Sequence, residues 1–223
     1  LSALLGAFIA SRIAPTPIRL ASVRELAAVA AGAAVLALAS GAAAGLWSAA
    51  AGTASGLATF HVWAVGDFVG VMLVGTLVAS WSGFRAKRSG GLAMASFAGG
   101  AVAFVLFAAM LLVALDDWGG RNASGQVDES IVYLPFVFFA VVALMWGVRG
   151  STLTAFAAAI VAIVSTLQGH GPFANNNGLL GDPVLEVQCY VLAIAVTGLL
   201  IATLAASQRD AMNRARDWQT RFT

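Results

Sequence analysis

Asp67 stands inside the apolar run at residues 60–81, FHVWAVGDFVGVMLVGTLVASW, and has the most chemistry to offer. A carboxylate at the centre of a membrane span costs roughly 2.5–3.5 kcal/mol on insertion scales, so such groups face a bundle interior or a polar cavity. There it can bind a ligand, carry a proton or bond to a neighbouring helix. Trp63 precedes it by one helical turn on the same face. Gly66 and Gly70 bracket it at the G-x-x-x-G spacing that lets a second backbone approach closely. His61 lies at the start of the same run. A second polar group comes late in the chain: His170 and Phe173 within GHGPF, then Glu186. Together these residues suggest a ligand-binding cavity lined by Asp67, Trp63 and the two histidines.

Each candidate also has a plainer role. Asp67 can serve as a structural hydrogen bond, and His61 as an interfacial histidine. His170 can sit in a tight turn that Gly169, Gly171 and Pro172 shape. Asp182 and Pro183 read as N-cap and first position of a helix, with Glu186 one turn in and facing the positive end of its dipole. No metal site is expected, because the histidines are 109 residues apart (170 − 61) and form no H-x-H or H-x-x-x-H pair. Catalytic constellations are absent too: no phosphate-cradling glycine loop, no nucleophile elbow, no carboxylate pair of the hydrolytic kind. The reading is of a non-enzyme with no cofactor. Cys189, the single cysteine, excludes an internal disulfide and reads as a small buried core residue. Trp47, Trp81, Trp118 and Trp146 near span ends read as an interfacial aromatic belt.

The elements that position these residues follow from composition. Sixty per cent of the chain is apolar, 10% is charged and the mean hydropathy is +0.89. Soluble domains carry about 25% charged residues, so the chain reads as an all-α integral membrane bundle. The net charge of +2 does not suggest nucleic acid as a partner; the lipid bilayer is the expected one. Hydropathy places complete spans at 26–46, 60–81, 91–115, 131–146, 152–167 and 184–206, six in all. A charge-free link of small residues joins the first two. Residues 1–11 are apolar but half a span long, which suggests a helix whose beginning lies upstream. Residues 1–206 form the membrane unit and 207–223 a tail.

Charge then sets the orientation. Strict alternation with a cytoplasmic C-terminus puts segments 12–24, 85–88, 149 and the tail on one side. They hold 11 of the 12 Lys and Arg residues, as the positive-inside rule requires. His61 and His170 then fall on the outer side, and Asp67, about 21 Å from Trp81 at 1.5 Å per residue, in the outer half. The acidic loop at 116–129 becomes an exterior turn. The tail, SQRDAMNRARDWQTRF, contains no Gly or Pro to stop a helix continuing from the last span, and Leu204, Ala211 and Trp218 recur every seven residues. Such a tail either passes motion to an output or rests on the anionic inner leaflet.

Three motifs taken together resemble the type-one membrane-associated sensor domain. They are Trp63, Gly66, Asp67, Gly70 and Val71; then Trp146, Arg149 and Gly150; then Gly169, Gly171, Pro172 and Phe173, in the family's order. The resemblance covers essentially the whole chain. It implies a bundle of about eight membrane helices that forms the N-terminal sensory part of a bacterial inner-membrane histidine kinase, diguanylate cyclase or related phosphodiesterase. With the orientation above, a ligand or membrane partner would engage it from the outer side and the last helix would relay the response to a cytoplasmic output domain. The family's first helices and any output domain do not match residues here. A second reading is an accessory subunit of a larger membrane complex; a third is a proton-coupled transporter, which lacks a convincing internal repeat. Glycine pairs such as Gly41 with Gly45 suit packing within the bundle or a homodimer equally.

Overall fold

In an apolar medium an unpaired backbone N–H or C=O costs several kcal/mol, so a spanning chain closes its hydrogen bonds within helices. The computed structural model describes residues 2–14, 18, 20–53, 55–82, 91–115, 133–174 and 182–222, and all regular structure among them is helical. Segment 85–88 and the acidic loop at 116–129 with Trp118 lie outside that set. The helices are α1 (Ser2–Ile13), α2 (Val23–Ala51), α3 (Gly56–Trp81), α4 (Gly91–Leu115), α5 (Pro135–Leu167) and α6 (Pro183–Phe222). Five of them are long and apolar enough to cross a membrane, and α1 is a shorter apolar helix.

α2 is longer than its hydropathy alone suggests. The Ser22 hydroxyl accepts from the Glu25 amide at 3.3 Å while the Glu25 carboxylate accepts from the Ala21 amide, a reciprocal cap. Alanine, the strongest helix former, carries the helix through residues 47–51, where a small-residue link was expected. Gly52, with φ 66°, ends it in the left-handed conformation.

Contacts between helices establish direction. Gly6 meets Gly32 and Leu36, and Arg24 Nε donates to Ile13 O, so α1 and α2 run antiparallel. Gly45 meets Gly56 while Ser40 meets Asp67, so α2 and α3 do as well. A Cβ on Gly45 would lie 2.6 Å from Gly56 O, and one on Gly41 would lie 2.9 Å from the Ala64 Cβ. These glycines therefore pack inside the bundle.

α5 covers 33 residues as two helical arms folded into a hairpin. A straight helix of that length would be about 50 Å long. Phe136 and Phe173, from either side of it, nevertheless both pack on the Tyr190 ring, at 6.1 and 5.1 Å. The chain reverses at Gly147, whose φ 64° and ψ −152° are non-helical. Arm 135–146 runs antiparallel to α4 (Phe107 on Phe139, Phe97 on Trp146), and arm 150–167 returns beside it toward Leu115 and Gly171. The two segments read as separate spans on either side of Arg149 thus correspond to two opposed arms.

The reversal is pinned by side chains. Trp146, half-exposed, is packed at the turn. Its ring stacks on Phe97 and Phe104 at 5.6 and 6.0 Å, its N–H donates to Phe97 O at 3.2 Å, and Gly100 and Gly150 leave room for it. Arg149 Nε donates to Ser80 O at 3.0 Å, and Ser80 Oγ bonds to Thr152 Oγ1 at 3.1 Å. Phe107, Phe139, Leu111, Leu115 and Ile194 lead the main apolar core. A second cluster joins Leu20, Leu26, Met72 and Leu199. Cys189 is exposed, contrary to the core expectation, because it lies on the side of α6 turned away from the bundle.

Two substitutions test this packing. Gly147→Ala places a side chain in a region essentially reserved for glycine and should lower stability by roughly 1–3 kcal/mol. Gly45→Ala overpacks the α2–α3 seam and should cost a similar amount, whereas Gly70→Ala, which meets nothing within 4 Å, should not destabilise. Reversible unfolding in mixed detergent micelles reads all three.

Candidate functional site

The glycine seam between α2 and α3 decides what surrounds Asp67. Ser40 immediately precedes Gly41, and at that close approach its Oγ donates to Asp67 Oδ2. The same hydroxyl lies 3.2 Å from Ala37 O, a distance typical of serine turned back onto its own helix. Asp67 is half-buried. Its carboxyl group is therefore held from α2 by a side-chain hydrogen bond between helices.

Gly66, one residue earlier, faces α6. The Gln188 Nε2 lies 3.0 Å from where a Gly66 Cβ would stand. Gly66 thus admits a side-chain amide and a Cβ on Gly70 would meet nothing within 4 Å, while the close backbone approach between α2 and α3 is made at Gly41, Gly45 and Gly56. Adjacent residues of α3 consequently touch two different helices, Asp67 α2 and Gly66 α6. Just beyond them, Val71–Gly75 forms a π-helical turn, with the Thr76 hydroxyl donating back to Met72 O. Such turns are local insertions in the helical register and often accompany functional sites.

The other candidates occupy separate places. Trp63 is 55% exposed on the flank of α3. His61 is exposed, edge-on to Phe60 at 5.6 Å. His170 is exposed beside a groove of Leu112, Ile160 and Val164 on α4 and α5, and its amide donates to Ser165 O at 2.9 Å. Phe173 is half-buried against Tyr190, within the main core. Glu186 is half-buried in the first turn of α6, where Asp182 Oδ1 accepts from the Val184 amide at 2.9 Å and Asp182 O from the Glu186 amide at 3.1 Å. Asp182 is the expected helix cap.

The motif residues Gly169 and Gly171 adopt φ 78° and 80°, and Gly171 packs on Leu115 O, closing α5 against α4. Among the described residues no group of three or more His, Cys, Asp or Glu could hold a metal ion. Ser40, Gln188 and Tyr190 were not singled out from the sequence, although Gln188 interrupts the apolar run of α6 just as Asp67 interrupts α3. Ser40 carries no such signal, since serine is ordinary in a helix of small residues.

A double-mutant cycle with Ser40→Ala and Asp67→Ala should return a coupling of roughly 1–2 kcal/mol, at the upper end for polar pairs within membranes. Unfolding midpoints of the four proteins give the value.

The family model MASE1 matches residues 1–209. No curated protein and no solved structure matches the chain. The chain belongs to the MASE1 family, whose members are membrane-associated sensor domains, and it is a multi-pass membrane protein of that sensory class.

Proposed function

We propose that this MASE1 chain is the input module of a bacterial inner-membrane signalling protein, that it responds to a ligand or membrane partner engaged from the outer side, and that α6 carries the response inward. The observation that carries this reading is the continuity of α6. One 40-residue helix holds Gln188 against Gly66 near its start and runs without a break to Phe222, with residues 208–219 exposed. A rigid helix that contacts the Asp67 region at one end and leaves the bundle at the other transmits a small displacement over its length.

The response would act on the neighbourhood of Asp67, where α3 is tied to two helices at once. The Ser40 bond ties α3 to α2, the Gln188 contact ties α3 to α6, and the π turn below them accommodates a register change. An engaged ligand would act by favouring one arrangement of these contacts over another; shifting a population from 1:99 to 99:1 takes about 5.5 kcal/mol of differential binding. The positive-inside distribution supports an outer location for Asp67 and a cytoplasmic tail.

In the signalling protein that carries this module, Asp67→Asn should change the basal output at least several-fold while insertion and expression stay at wild-type level. Activity of the attached output, normalised to membrane-inserted protein, reads this. Unchanged output with normal insertion would remove Asp67 from the signalling path.

A further inference from the structure

We propose that the cleft between α3, the returning arm of α5 and α6 is a binding site for an aliphatic alcohol of medium chain length that partitions from the bilayer. The cleft has a volume of about 270 Å³ and is lined by Val69, Leu73, Ile163, Val187, Val191 and Gln188. Its walls are almost wholly hydrocarbon, and the other polar side chain on them, Thr166, already donates to Ala162 O at 2.8 Å. The volume corresponds to roughly nine waters at about 30 Å³ each, enough for a chain of several methylenes. A charged or strongly hydrated ligand has nothing here to replace its water.

Gln188 specifies the polar end. Its Oε1 is buried and has no hydrogen-bond partner among the described residues. Leaving a buried acceptor unpaired is costly, and native structures keep few of them. The opposite amide atom, Nε2, rests in the notch at Gly66. The terminal torsion of Gln is soft, so the amide can present its oxygen to a donor at the cleft. A hydroxyl provides that donor on a small neutral group that an apolar cleft tolerates. The aliphatic body then lies along Val69, Leu73, Val187 and Val191, wedged between α3 and α6.

This location gives the ligand purchase on signalling. Its polar end engages the same amide that seats α6 at Gly66, next to Asp67. That consequence rests on the sensory reading above, whereas the binding itself does not, so the test reads binding directly.

The protein is reconstituted in lipid nanodiscs and exposed to a ten-carbon alcohol bearing a photoreactive diazirine, with the matching methyl ether as comparison. The alcohol should label α3 and α6 peptides containing Val69, Leu73, Val187 or Val191 saturably, and unlabelled decanol should compete. The ether, which accepts but does not donate, should bind about five-fold more weakly, the worth of about one hydrogen bond. Val187→Phe, which fills the cleft, should abolish saturable labelling. Gln188→Leu should keep the alkyl affinity and remove the preference for alcohol over ether; both variants must elute as monodisperse protein. Non-saturable labelling would overturn the site, as would labelling indifferent to Val187→Phe, or equal binding of alcohol and ether by the wild type. A phospholipid acyl chain that decanol cannot displace would overturn it too. Binding without any change in signalling output would leave the site standing and count against the sensory reading instead.

Discussion

A carboxylate inside an apolar helix must find a donor, and much of this bundle can be understood from how Asp67 finds one. The donor is Ser40, and a serine on one helix reaches a carboxylate on the next only if the two helices are close. Gly41, Gly45 and Gly56 permit that closeness, because a Cβ at any of them would strike the opposite helix. The seam is therefore as much a condition of the polar pair as a source of packing contact. With α3 drawn to α2 on one side, its Gly66 notch is left to receive α6 on the other. Two neighbouring residues thereby set the positions of two helices.

The second organising feature is the reversal at Gly147. It folds a 33-residue stretch back on itself, so that α6 packs against both arms. Trp146 and Arg149 secure the turn from opposite sides, to Phe97 and to Ser80. The motifs flanking α5 are thus explained by construction: one forms the hairpin, and the other, Gly169 with Gly171, closes its far end on Leu115. The Trp63–Val71 motif differs in containing a polar group whose partner sits on another helix.

Much of the helical architecture was legible in the chain, since hydropathy and the spacing of charges report directly on what a bilayer accepts. Even the hairpin was visible as two apolar runs separated by Arg149. What the sequence left hidden depends on inter-helix geometry. Trp146 looked interfacial because it ends a span; it is half-exposed, and its ring is also stacked on Phe97 and Phe104 of α4. Cys189 looked like core because its surroundings are apolar, yet in a membrane protein apolar surroundings also describe the lipid-facing side. Gly66 and Gly70 have the spacing of a backbone seam, and only the position of Gln188 reveals a different use. The two histidines lie on different elements, His61 on α3 and His170 in the turn after α5, and both are exposed.

The central claim is that a change at Asp67 displaces α6, and with it the tail, relative to α3. Its most direct test is the distance between spin labels at Val74 on α3 and Met212 on the tail, both exposed, in a Cys189→Ser background in nanodiscs. The account predicts that Asp67→Asn shifts the distance distribution or changes the weights of two populations within it. Superimposable distributions for the two proteins would contradict it, and the bundle would then be a passive support for whatever α6 joins.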